Sequence, residues 1–217
     1  MEEKQYKLIP MTFFWMFLGL LGTALIAIYS YNTDLVANIV LDGHYSIILI
    51  VELLVVILFT FLFRKLPATV VGILYFVYAM INGLTLSTIF YIFELDSIIT
   101  LFFAAAALFA GLGFFGYKTN ADISRWQPIL TWTLVIGLIV SIINLFIGSS
   151  FLDIVVDWGI LITMSGITIY DMNKLKMLAS EPEIDQKKVH IYCAMQLYLD
   201  FINIFIRILS IFGKRRS

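Results

Sequence analysis

Cys193, Gln196, Asp200, Asn203, Arg207 and Ser210 recur at steps of three and four, so on a helix all six share one stripe. The residues between them are Leu, Tyr, Phe and Ile. An ionisable residue deep in such a segment costs about 2.5–3.5 kcal/mol on the gentler membrane-insertion scales, so it faces protein or water and marks function. A second acidic set precedes it. Asp153, Asp157, Thr168 and Asp171 are spaced four, eleven and three residues apart and return to one helix face. From Asp153 to Asp171 the rise is about 27 Å at 1.5 Å per residue, nearly the thickness of a bilayer's hydrocarbon core. Asp153 and Asp157 also read as a wet helix end.

A short segment joins these two helices, which makes them antiparallel neighbours and brings Asp171 within reach of Asp200. Two carboxylates in contact cannot both ionise cheaply, so such a pair shares a proton and responds to pH. The plainer alternative is two unrelated aspartates, each bonded to Ser, Thr or Asn. Glu52 lies well inside another apolar run, and Arg64 ends that run. Arg64 is long enough to reach a carboxylate at the depth of Asp171; equally, it can snorkel to the headgroups. Tyr75, Tyr78, Asn82 and Thr85 form one more stripe, too polar to face lipid.

The elements that must position these groups follow from composition. The chain has 217 residues, of which 61% are hydrophobic and 13% charged; a soluble domain carries about 25% charged residues. It reads as a single all-α, polytopic membrane domain over 1–217. Its bilayer-length runs fall near 12–31, 45–63, 69–93, 97–117, 128–148, 151–175 and 189–212. Pro67 and Pro128 sit just before the third and fifth helices, where a missing N–H is harmless. Cys193 is the only cysteine, and His44 and His190 are the only histidines, so neither a disulfide nor a cysteine or histidine metal site is expected. The net charge of -1 says nothing about partners. No nucleotide loop or nucleic-acid surface is legible, and no cleavable leader is expected.

Basic residues alternate between connections. Lys4 and Lys7 precede the first run, Arg64 and Lys65 follow the second, Lys118 and Arg125 follow the fourth, and Lys174, Lys176, Lys187 and Lys188 flank the 6–7 connection. The intervening connections carry none. By the positive-inside rule the N-terminus is cytoplasmic. Seven crossings would then place Lys214, Arg215 and Arg216 outside, against the rule. Either the last helix crosses regardless or it re-enters and returns; its length and the earlier loops favour crossing. Small residues at four-residue spacing (Gly19, Thr23, Ala27; Ala79, Gly83, Ser87; Ala107, Gly111; Gly137, Ser141, Asn144, Gly148) read first as close helix packing.

INGLTLS at 81–87, TIYDMNKLK at 168–176 and LYLDFINIF at 197–205 resemble the Bax inhibitor-1 family of membrane proteins, and the pattern of apolar segments matches over essentially the whole chain. The short tails look like those of a bacterial member, which implies the plasma membrane. The resemblance implies a seven-helix bundle in which helices 1–6 surround helix 7. It also implies a pH-sensitive calcium leak. Asp171 and Asp200 match the family's pH-sensing dyad, with weak calcium contact at most, and Arg64 is its expected latch. Glu52 carries over as a pore carboxylate. Asn82, Asp157, Asn203 and Arg207 complete the expected ion pathway. The segment Leu178–Lys188 is longer than the family's usual connection.

The leading expectation is therefore a passive cation leak, not an enzyme, without a cofactor and with calcium and protons as its ions. The main alternative is a non-transporting modulator of a partner such as a membrane protease. An intramembrane aspartyl protease is a remote third. Such enzymes need a glycine-flanked aspartate, and Asp200 sits in Tyr-Leu-Asp-Phe. A retinal-type receptor would need a lysine in the middle of helix 7, where there is none.

Overall fold

Long apolar runs close their backbone hydrogen bonds within one helix, as a hydrocarbon medium demands. The computed structural model describes residues 2–63, 65–121, 123–180 and 186–216; for residues 2–7, 45, 145, 180, 186 and 187 it describes the backbone only. Among the described residues the helices are α1 (Glu2–Asn32), α2 (Leu35–Leu41), α3 (Tyr45–Leu62), α4 (Ala68–Leu86), α5 (Ile89–Ile92), α6 (Leu95–Lys118), α7 (Trp126–Ile147), α8 (Ser150–Ser180) and α9 (Gln186–Phe212). The described residues form no sheet. The protein is an all-α, multi-pass membrane protein.

Six helical stretches are each long and apolar enough to cross a bilayer. A seventh arises if α2 and α3, bent by 112°, count as one broken span. The expected run at 69–93 is α4 followed by the short α5. Between them Ser87 Oγ donates to Leu84 O at 2.6 Å and Thr88 Oγ1 to Thr85 O at 2.8 Å, side-chain bonds that compete with the helical ladder. Pro67 is the residue before α4, in extended conformation. Pro128 falls inside the first turn of α7, where backbone N–H groups have no helical acceptor. At the other end of α7, Gly148 takes the left-handed conformation at φ 68° and closes the helix, its N–H donating to Asn144 O at 2.7 Å.

The chain divides into two compact units. The first holds Met1–Phe93, Leu178–Tyr198 and Arg216–Ser217; the second holds Glu94–Met177 and Leu199–Arg215. The long helices α8 and α9 each contribute to both.

In the first unit α1 and α4 pack through their small residues. A Cβ on Gly83 would stand 2.7 Å from the backbone oxygen of Thr23, so only glycine permits this approach. Gly19 likewise leaves room for the Tyr75 ring and hydroxyl, and that hydroxyl donates to Trp15 O at 3.0 Å. The packing reading of these two stripes is what the helices use.

In the second unit Gly116 of α6 lies against the backbone of Ile169 in α8. Phe201 of α9 packs edge-on against Phe102 and Phe109 of α6, with centroids 5.3 Å and 5.7 Å away. α8 also collects the carbonyls that α6 leaves open at its end. Asn173 Nδ2 donates to Thr119 O at 3.2 Å, and Lys176 Nζ donates to Thr119 O at 3.2 Å and Asn120 Oδ1 at 2.9 Å.

The last helix does not turn back. α9 runs unbroken for 27 residues, about 40 Å at 1.5 Å per residue. A little over half of its apolar stretch is buried, whereas none of that of Trp126–Asn144 is. The basic tail after it is held in both units. In the second, Lys214 Nζ meets Glu94 Oε1 at 2.8 Å, the Glu94 N–H donates to Lys214 O at 2.9 Å, and the Lys214 N–H donates to Ser97 Oγ at 3.0 Å. In the first, the Arg216 N–H donates to Ile92 O at 2.9 Å and its Nη1 to Tyr31 Oη at 2.9 Å. The tail is thus pinned to the connection around 92–97, one of those without a lysine or arginine.

Candidate functional site

Polar side chains inside apolar helices must find partners on other helices, because lipid offers none. In the first unit they converge on Glu52. Asn82 Nδ2 donates to Glu52 Oε1 at 2.5 Å, Tyr78 Oη to the same oxygen at 3.3 Å, and Thr85 Oγ1 to Oε2 at 2.7 Å. Tyr78, Asn82 and Thr85 lie three to four residues apart, so one face of α4 supplies all three donors. The Tyr198 phenol of α9 donates to Asn82 Oδ1 at 2.9 Å and stands 2.6 Å from Thr23 Oγ1. Thr23 Oγ1 is also 2.9 Å from Ala79 O. A polar thread therefore joins α3, α4, α9 and α1. Tyr198 and Thr23 are fully enclosed, and the rings of Tyr75 and Tyr78 meet Tyr198 edge-on at 5.8 Å and 5.9 Å.

Sequence reasoning picked out Glu52 and Asn82 but missed Tyr198 and the bonding role of Thr23. Tyr198 lies off the polar stripe of α9 and reads as one of its apolar residues. The signal that could have found it is that a buried tyrosine hydroxyl needs a partner; Thr23 reads only as a small packing residue.

In the second unit α8 and α9 bring four expected residues together in two pairs. Asp171 and Asp200 are both buried, at 8% and 3% exposure, and their carboxylates interact electrostatically. Lys174 acts on Asp171 from one turn along α8. Thr168, whose hydroxyl donates to Met164 O at 2.9 Å, is a hydrogen-bonding neighbour of Asp200. Asp200 Oδ2 is buried with no hydrogen-bond partner among the described residues. The second pair is Asp157 and Arg207, with Arg207 Nη1 donating to Asp157 Oδ1 at 2.6 Å. Ser210 Oγ donates to Asp157 Oδ2 at 2.5 Å. Asp157 is therefore partnered by α9 and is not a wet helix end. Asp153 is also partnered: it accepts from Asn144 Nδ2 at 2.6 Å across the α7–α8 turn. Asn203 turns back on its own helix, donating to Leu199 O at 2.8 Å. Arg64, the expected latch, lies outside the described residues.

Among the described residues no group of three or more His, Cys, Asp or Glu side chains stands together.

The family model described as "Inhibitor of apoptosis-promoting Bax1" matches residues 5–217. The chain belongs to the Bax inhibitor-1 family. The inner membrane protein YbhL of Escherichia coli strain K12 is similar to this Bax inhibitor-1 member at 34% identity over 208 residues, covering 93% of this chain and 89% of its own. A protein of Borreliella burgdorferi is 29% identical over 227 residues, covering 100% of this chain and 97% of its own. One of Deinococcus radiodurans is 31% identical over 207 residues, covering 94% and 89%. The three stretches that resemble the family hold several of the polar groups described above, though Thr23, Asn144 and Glu52 lie outside them. INGLTLS carries Asn82, Gly83, Thr85 and Ser87; TIYDMNKLK carries Thr168, Asp171, Asn173 and Lys176; LYLDFINIF carries Tyr198 and Asp200. In this Bax inhibitor-1 protein the resembling stretches include both members of the buried aspartate pair.

Proposed function

We propose that this protein is a pH-sensitive calcium leak: a passive pathway, not an enzyme, that lets calcium cross the bacterial plasma membrane. The observation that carries the reading is the buried Asp171–Asp200 pair on α8 and α9. Two interacting carboxylates away from water share a proton, so the charge of the pair follows pH. A group of this kind inside a membrane segment is a functional site by default. The family resemblance implies that Arg64, which lies outside the described residues, latches onto the ionised dyad and keeps the path closed. Protonation removes the partner charge and frees the arginine, so acid opens the path.

The ion meets carboxylates, hydroxyls and backbone carbonyls at separate points, weakly enough to leave again. Glu52 and Asn82 in the first unit, and Asp157, Asn203 and Arg207 in the second, are the further pathway residues. The N-terminus is cytoplasmic by the distribution of lysine and arginine. A crossing α9 then carries the tail to the opposite side, a reading that the contacts of Lys214 and Arg216 with the basic-residue-free connection around 92–97 support.

The test is calcium flux into liposomes that hold the purified protein, measured from pH 5 to 8. Wild type is expected to leak faster in acid. Asp171→Asn with Asp200→Asn is expected to leak at one rate throughout. Identical flux from both proteins at every pH would remove the dyad from the mechanism, and no flux from wild type at any pH would remove the leak.

A further inference from the structure

The second unit joins α8 to α9 by two electrostatic pairs of opposite kind. At one level a carboxylate meets a carboxylate, Asp171 with Asp200. Seven residues further along α9, about two turns, a guanidinium meets a carboxylate, Arg207 with Asp157 at 2.6 Å. The first pair pushes the helices apart whenever both members are charged. The second draws them together.

The details of the second pair make it more than a surface contact. Both oxygens of Asp157 are taken by α9, one by Arg207 and one by Ser210. Arg207 Nε is out of reach of water and has no partner among the described residues. The guanidinium charge is thus answered by Asp157. The side chains are 23% and 13% exposed, whereas the Lys214–Glu94 pair is 74% and 38% exposed. Attraction between partly buried charges is screened less than that at a wet surface. The charged and polar neighbours of the two levels are Lys174 and Thr168 beside the dyad, and Ser210 beside the ion pair.

We propose that Asp157 and Arg207 form an ionic lock that holds α8 and α9 together against the dyad, and that this lock is a second gate, distinct from the proton-controlled one. The gate rests on the leak reading above; the lock does not. An arginine clamped in a cation path is also an electrostatic barrier, and releasing it from Asp157 frees both the helix seam and that barrier.

The experiment uses the full chain and a double-mutant cycle. Asp157→Asn, Arg207→Gln and the combination are compared with wild type for thermal unfolding in detergent and calcium flux in liposomes. Each single variant is expected to melt several degrees lower, and the double no lower than the worse single, because the second change removes a charge already stranded. If a single variant fails to fold while the double folds, the lock is supported by that alone. Additive losses, or no loss, overturn the lock. The double variant is expected to leak several-fold faster than wild type at neutral pH. A non-additive cycle with a double that leaks like a leaking wild type overturns the gate. A non-additive cycle with no flux from wild type even in acid overturns the leak reading and the gate with it, and leaves the lock.

Discussion

Tyr198 of α9 donates its phenol proton to Asn82 of α4 at 2.9 Å, and both side chains are buried. The same asparagine donates its amide to Glu52 of α3 at 2.5 Å. A single side chain on α4 therefore serves a helix on each side of it, one through its oxygen and one through its nitrogen. Asn82→Leu keeps the volume and removes both functions. It takes one partner from the phenol, which keeps Thr23, and one from the carboxylate, which keeps Tyr78 and Thr85. The expected cost therefore lies at the low end of that of a stranded buried polar group, about 1–3 kcal/mol. Thermal unfolding in detergent is expected to show the loss, and Asn82→Asp to recover little of it, because a second carboxylate would face Glu52. An unchanged melting temperature in Asn82→Leu would mean that the thread is not under load.

Glu52 tests the same network from its other end. Glu52→Ala leaves Tyr78, Asn82 and Thr85 without the acceptor they share. α3 buries little else of its own: Phe59 is the one side chain of its described residues that is fully enclosed. The expected result is selective loosening of α3, read as faster amide exchange over 45–62 than over α1 or α4. Uniform exchange across the first unit would show that α3 is held by its apolar contacts instead.

Gly83 sets how closely α1 and α4 approach. A methyl group there would meet the Thr23 backbone oxygen at 2.7 Å, which backbone cannot yield cheaply. Gly83→Ala is expected to cost about 1–3 kcal/mol by overpacking. Gly22→Ala, with open space around the added atom, is the matched control and is expected to melt like wild type.

The tail clamp has a defined pH range. The Glu94 carboxylate beside Lys214, by hydrogen bond and then by charge, raises the lysine above its ordinary value. A raised lysine stabilises the bound form in full below the unfolded lysine's pKa, about 10.4, and loses that stabilisation as pH rises through the bound value. Carboxypeptidase digestion is expected to remove the tail no faster at pH 9 than at pH 7, and faster in Glu94→Gln at both. Equal digestion of the two proteins would show that the backbone bonds at Glu94 and Ser97 hold the tail without the ion pair.

The sequence by itself determined that this is an all-α, multi-pass membrane protein, because runs of apolar residues near 20 long with 13% charged residues overall leave no other way to satisfy the backbone. It also determined which polar residues share a helix face, since helical period is local: Tyr78, Asn82 and Thr85 on one, Asp200, Arg207 and Ser210 on another. Helix period says nothing of which face meets which. Only the tertiary structure decided that Asn82 joins Glu52 to Tyr198, that Asp157 is clamped by Arg207 and Ser210 instead of facing water, and that Asn203, on the same stripe, spends its amide on its own helix. Partner choice depends on the depth and rotation of each helix. Those follow from close contacts such as Gly83 on Thr23 and Gly116 on Ile169, which link positions 60 and 53 residues apart in the chain and leave no periodic trace in it.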